Sequence, residues 1–125
     1  QPFNPIRLAL ASGTSFVARC NAKDINHMTE VLEKAVKHKG FSFVEIIQDC
    51  IVFNVESNNK DELMYKISDN VDIEKARKMA EEWDYNNGQG KIPLGVIFQE
   101  KKPTVEEKWP QLTELKKKGV SWKDK

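Results

Sequence analysis

Of the thiol and imidazole side chains that ligate soft and borderline metals, the 125-residue chain holds two cysteines and two histidines. Cys50 ends the stretch His38-Lys-Gly-Phe-Ser-Phe-Val-Glu-Ile-Ile-Gln-Asp-Cys50, which reads as a helix end, a buried strand and a cysteine just past the strand's carboxyl edge. Open α/β sheets bind ligands at that edge. A thiolate placed there can hold a metal, and a thiol there can equally be a small buried hydrophobe. Cys20 follows an earlier apolar segment in the same way, so neighbouring parallel strands could bring both sulfurs to one edge. Two thiolates fall short of the four ligands of a zinc or iron–sulfur site, and these two do not make a disulfide framework. His27 opens a helix and His38 closes it, where an imidazolium complements the helix dipole, so both read as structural. Glu81-Glu82 and Lys116-Lys117-Lys118 read as solvated faces. The chain has no Gly-rich phosphate loop and no G-x-S-x-G, HExxH or CxxC, so residue types alone assemble no catalytic constellation.

The elements that must position Cys50 follow from periodicity. Asn4-Pro5 is an N-cap followed by proline at N1, where a missing N–H costs nothing, and Gly13 closes the helix that follows. That helix is apolar on most faces (Ile6, Leu8, Ala9, Leu10, Ala11), as suits one covered by further protein. Residues 15–19 give a short strand, and residues 20–24 a loop. Ile25, Met28, Val31, Leu32, Ala35 and Val36 recur at helical spacing, which predicts a helix over about 26–39 with Gly40 as its positive-φ terminator. The nearly continuous apolar run in residues 41–47 predicts a strand covered on both faces in a parallel sheet. These pieces form a βαβ unit with a right-handed crossover.

Beyond Cys50, Ile51-Val52-Phe53-Asn54 is an apolar tetrad ending in a turn former, and residues 56–61 read as a surface loop. Residues 63–67 form a weak strand or a short helix. From Asp72, the spacing of Ile73, Ala76, Met79, Ala80 and Trp83 predicts a helix ended by Asn86-Asn87-Gly88. Pro93 allows a strand over residues 94–98. Thr104-Val-Glu-Glu107 fits a capping box, Trp109-Pro110 interrupts the pattern, and Leu112 and Leu115 suggest a last short helix ending at Gly119.

Composition describes an ordinary globular protein: 39% hydrophobic, 31% charged, net charge +1. Nothing in it calls for nucleic acid, and no apolar run is long enough for a membrane span. Charge is uneven, with residues 101–125 carrying eight Lys/Arg against four Asp/Glu. Such an arm is a solvated tail or lies on an acidic neighbour. The chain begins at Gln1 and enters a helix almost at once, so we expect it to be part of a longer polypeptide, in the cytoplasm.

Four segments in order carry a family resemblance: residues 4–19, 38–46, 50–54 (Cys-Ile-Val-Phe-Asn), and 92–98 (Ile-Pro-Leu-Gly-Val-Ile-Phe) with Lys102-Pro-Thr104. Together they resemble the β subunit of 2-oxoacid:ferredoxin oxidoreductases. Those enzymes use thiamine diphosphate and iron–sulfur clusters to interconvert a 2-oxoacid plus coenzyme A with an acyl-CoA, carbon dioxide and reduced ferredoxin. The helix–strand–helix–strand opening with Gly13 is similar to the closing part of thiamine-diphosphate domains at large. The resemblance implies that the position of Cys50 supplies the fourth thiolate of a [4Fe–4S] cluster. Three further cysteines, and the Gly-Asp-Gly motif with its following Asn that holds the cofactor's pyrophosphate and magnesium, lie upstream in that family and are absent here. Asp49 stands where many members have proline, and Cys20 where glycine is common.

The resulting expectation is an α/β, three-layer fragment with parallel strands, like the C-terminal part of a thiamine-diphosphate-binding domain, plus an extended C-terminal arm. Residues 1–55 would close that domain, and residues 56–125 would supply a helix, a strand and the basic arm. Cys50 is the expected metal ligand, and no catalytic residue is expected in this chain. The complete enzyme would carry thiamine diphosphate, magnesium and [4Fe–4S], with none bound by this chain alone. Its partners would be the remainder of the β subunit, the α (γ, δ) subunits and ferredoxin, with no nucleic acid and no membrane. Two other readings fit the residues: a cofactor-free α/β interaction module in which Cys50 is a buried thiol, and a segment of another thiamine-diphosphate enzyme.

Overall fold

In the computed structural model, which describes residues 2–53, 55 and 58–120, the chain opens with helix α1 (Pro5–Ala11). The Asn4 side chain accepts from the Arg7 N–H and Pro5 occupies N1, as the sequence leads one to expect; Gly13 leaves the helix at φ +76°. Strand β1 (Phe16–Asn21), helix α2 (Ile25–Lys37) and strand β2 (Ser42–Ile47) then make the βαβ unit, with β1 and β2 parallel and Phe16 level with Ser42. Asp24 caps α2 by accepting from the His27 N–H. Gly40 has φ +128°, and a Cβ there would stand 2.8 Å from Ser15 Oγ, so only glycine lets the chain turn back this close to β1.

A 3₁₀ turn (Asp61–Leu63) leads into strand β3 (Met64–Lys66), and helix α3 (Ile73–Glu81), capped by Asp72, follows. A small hairpin comes next, β4 (Trp83–Asp84) with β5 (Gln89–Gly90), before strand β6 (Ile92–Gln99). Helix α4 (Val105–Lys108), with the Thr104/Glu107 capping box formed, and helix α5 (Pro110–Lys117) end the described chain.

The sheet order is β2-β1-β6-β3. The expected parallel strands are present, in a sheet that is mixed because one pair runs antiparallel. β1-α2-β2 and β3-α3-β6 are two parallel units, and they join antiparallel along β1 and β6. A parallel pair needs a long crossover, and each unit has its helix; nothing in the connection from β2 to β3 forces the two units to share a direction. The layers are α2 on one face, packing Val31 and Ala35 on Phe16, Ala18, Cys20 and Val96, and α1 with α3 on the other. On that second face Ile6, Leu10, Ala76, Met79 and Ala80 meet Val17, Ile97 and Phe98. Each large aliphatic side chain buried here contributes about 1.5–3 kcal/mol.

Three expectations change. β2 is an edge strand with every residue at least partly exposed, because β1 flanks it on one side only; the strands covered on both faces are β1 and β6. Cys20 belongs to β1 itself, not to the loop after it. Trp83 leaves the helical pattern: α3 stops at Glu81, and Asn86-Asn87-Gly88 turns the β4–β5 hairpin instead of ending a helix. That hairpin is tight, since a Cβ on Gly90 (φ +96°) would stand 1.9 Å from the Glu82 carbonyl oxygen.

Candidate functional site

β1 and β2 are in register up to Asn21 and Ile47, and the Ala22 N–H donates to the Ile47 carbonyl as the last rung. The chain then leaves the sheet edge and reaches Cys50 three residues later. Cys50 opens a turn (residues 51–53) whose apolar side chains face solvent: Ile51 is 84% exposed and Phe53 93%. Hydrogen bonds to backbone and sulfur fix the cysteine. The Cys50 N–H donates to Asn58 Oδ1 at 2.9 Å, Asn58 Nδ2 donates to the Cys50 carbonyl at 3.0 Å, and the Phe53 N–H donates to Cys50 Sγ at 3.3 Å. Hydrogen bonds to the ligand sulfurs are one of the features that set the reduction potential of a bound iron–sulfur cluster.

Lys23, in the loop after β1, ties down the two ends of the Cys50 segment. Its Nζ lies 2.6 Å from Asp49 Oδ2 and 2.8 Å from Asp61 Oδ2. The bonds to Asp49 and Asp61 push the Lys23 pKa up, and the bond from Lys23 holds the Asp61 carboxyl below its ordinary range. Asn21 Nδ2 also donates to Asp61.

Cys20 is elsewhere. It faces α2 in the core and is fully buried, and that burial pushes its thiol pKa up. The sequence allowed both sulfurs at one edge; the register puts Cys20 level with Ile46, inside the sheet, and Cys50 beyond its end. His38 closes α2 as expected, hydrogen-bonded to Ser15 (Nε2 to Oγ, 2.9 Å) and tilted on Phe16. Glu82 differs from a merely solvated carboxylate. It accepts from the Tyr65 hydroxyl at 2.8 Å, and burial together with that bond pushes the Tyr65 pKa up to about 12.

Sequence reasoning missed a buried charge. Arg19, 0% exposed, points into the face covered by the β4–β5 hairpin. It donates to Glu45 at 2.5 Å, to the Tyr85 hydroxyl at 2.6 Å and to the Pro93 carbonyl at 3.5 Å, and its guanidinium lies 5.3 Å from the Trp83 ring centroid. Burial holds the Tyr85 hydroxyl well above the usual range. Arg19 and Glu45 each lie within a largely apolar strand, and their pairing needs the register, which a linear reading does not supply.

The donor set fits one ligand of a shared cluster. Among the described residues no group of three or more His, Cys, Asp or Glu side chains could hold a metal ion. Cys50 offers a single sulfur at an open edge with an N–H on it, so a four-thiolate cluster would need cysteines from elsewhere.

Fold and site together define an α/β unit that presents a half-buried cysteine beside a rim of exposed apolar side chains. The family model for the C-terminal part of the pyruvate ferredoxin oxidoreductase β chain matches residues 50–114, beginning at Cys50. The chain belongs to that family. It is 32% identical over 107 residues to the 2-oxoacid:ferredoxin oxidoreductase subunit beta of Saccharolobus solfataricus, covering 77% of this chain and 35% of that protein. To the protein of the same name from Sulfolobus sp it is 34% identical over 118 residues, covering 84% and 38% respectively. The chain thus spans little more than a third of these relatives' length. Its fold is similar to that of the 2-oxoglutarate:ferredoxin oxidoreductase from Magnetococcus marinus, solved with 2-oxoglutarate, coenzyme A and succinyl-CoA bound. The TM-score is 0.74 at 24% identity, over 98% of this chain and 41% of that one.

Proposed function

We propose that this chain is the closing part of a 2-oxoacid:ferredoxin oxidoreductase β subunit and that Cys50 supplies the fourth thiolate of a [4Fe–4S] cluster. In the complete cytoplasmic enzyme a 2-oxoacid is oxidatively decarboxylated to an acyl-CoA, and electrons pass to ferredoxin. The cluster, when bound, supplies one-electron storage and transfer. Thiamine diphosphate and magnesium are held by the remainder of the β subunit, and the assembly is completed by the α (γ, δ) subunits. What this chain's own residues do is narrower: Cys50 presents a sulfur, Phe53 donates an N–H to it, and Ile51, Val52, Phe53 and Val55 offer apolar surface that excludes water once covered. The N–H···S contact at an exposed loop, in a chain whose family match starts at that cysteine, is the observation that carries the reading.

The test is Cys50→Ser in the complete complex, with Cys20→Ala as the control for a packing defect. Serine oxygen is a harder and far less acidic ligand than a thiolate, so Cys50→Ser should lower iron per active site, change the paramagnetic signal of the reduced cluster and slow ferredoxin reduction. The thiamine-dependent decarboxylation step should be less affected. Full iron and full electron transfer in Cys50→Ser would return Cys50 to the role of a thiol at a strand end.

A further inference from the structure

Cys50 lies past the last rung of the sheet, yet its backbone is paired on both sides. We propose that Asn58 is the positioning residue for the Cys50 sulfur, its side-chain amide taking the place of the strand neighbour that the sheet no longer provides; this rests on Cys50 being a cluster ligand. A primary amide carries an acceptor and a donor in one plane, so it can meet a residue's N–H and C=O together as a neighbouring peptide does. Asn58 does this, at 2.9 Å to the N–H and 3.0 Å to the carbonyl of Cys50.

Few other side chains reproduce that pair. An aspartate accepts from the Cys50 N–H but opposes the Cys50 carbonyl with a second oxygen, and glutamine puts the amide one methylene further out. The Asn58 N–H donates to the Val55 carbonyl, and Asn59 takes φ +59°, a conformation that asparagine tolerates better than most residues. With N–H and C=O both held, the Cα–Cβ direction of Cys50 is set, and Sγ stays where the Phe53 N–H reaches it. Lys23 acts on the same segment from outside, through Asp49 and Asp61. Asn58 acts on the Cys50 backbone, so its effect on the sulfur runs through Cys50 itself.

The experiment compares Asn58→Ala, Asn58→Asp and Cys50→Ser in the complete complex. Three quantities are followed: the rate of cluster loss in air, the paramagnetic signal and reduction potential of the reduced cluster, and hydrogen exchange of the peptide spanning residues 50–53. The thermal midpoint serves as the control. Both Asn58 variants should lose the cluster several-fold faster, broaden its signal, shift its potential and expose the 50–53 amides, with the thermal midpoint held near wild type. A purely structural role would instead move the midpoint and leave signal and potential alone, and that result would overturn the proposal. Loss of the cluster in Cys50→Ser combined with wild-type cluster properties in both Asn58 variants would also overturn it while leaving the ligand assignment standing. An unchanged cluster in Cys50→Ser would sink the assignment itself and the positioning role with it.

Discussion

Arg19 lies in β1 and Cys50 just past the end of the neighbouring β2, and they are treated in opposite ways. Arg19 is a full charge with no exposure, and a carboxylate, a phenol, a carbonyl and two aromatic faces surround it. Cys50 is only half-buried beyond the end of the sheet, held through its backbone and sulfur and flanked by apolar side chains left in solvent. A buried charge costs several kcal/mol unless every partner is present, so the Arg19 cluster must be complete within the fold. The Cys50 loop has the reverse character: its unused features are apolar area and a sulfur, which gain value only when something else covers them. The comparison separates a charged cluster closed within the fold from a less conspicuous loop to which the proposed function assigns a cluster ligand.

The sharpest way to break this comparison is to remove one partner of the buried charge. Glu45→Ala leaves Arg19 without its carboxylate, and the expected loss is about 3–5 kcal/mol of stability, read from denaturant unfolding. A loss below about 1 kcal/mol would mean that water reaches Arg19 and that the cluster is not closed. The hairpin covering it is the next target. Gly90→Ala must move the Glu82 carbonyl or the hairpin and also places a Cβ at φ +96°, so a loss of about 2 kcal/mol or more is expected from the same measurement. Cys50→Ser should be nearly silent in unfolding, within about 0.5 kcal/mol, while affecting the cluster in the complete enzyme.

These contrasts explain what was legible in the sequence. Local signals were read correctly: the Asn4-Pro5 start, the Thr104/Glu107 box, the helical spacing from Ile25 and the positive-φ glycines at 13 and 40 all depend on neighbours a few residues away. The antiparallel join of β1 to β6 was not legible, because strand direction depends on how two distant units meet. The same holds for Arg19 with Glu45 and Tyr85, whose positions are 26 and 66 residues apart from it. Trp83 fits a helix face by its spacing, whereas its contacts are with the Arg19 guanidinium and the Tyr85 ring. At the candidate site, the position of Cys50 past an apolar strand is legible in the sequence, whereas its contacts with Asn58 and the tether through Lys23 are not. An Asn-Asn pair in a loop signals a turn, and nothing in sequence says what its amide will face.

The smallest expected effect concerns the Lys23 bridge, which bears on the loop and not on the buried cluster. Asp61 has a lowered pKa in the folded chain, so its contribution is present above the unfolded aspartate value and is lost as pH falls through the lower folded one. Lys23 has a raised pKa, so its contribution is present below the unfolded lysine value and is lost as pH rises through the higher folded one. Between about pH 5 and about pH 9 the bridge should therefore be insensitive to pH. Both partners are substantially solvent-exposed, so salt should weaken it throughout that window. The measurement is hydrogen exchange of the segment around Cys50, taken as the ratio of wild type to Lys23→Met at each pH, so that intrinsic exchange rates cancel. The ratio should show modest protection across the window, shrink in high salt and approach one as pH drops below the aspartate range. A ratio of one at neutral pH and low salt would show that Asn58 holds the loop without help from Lys23, leaving Lys23 a surface ion pair of no consequence to it.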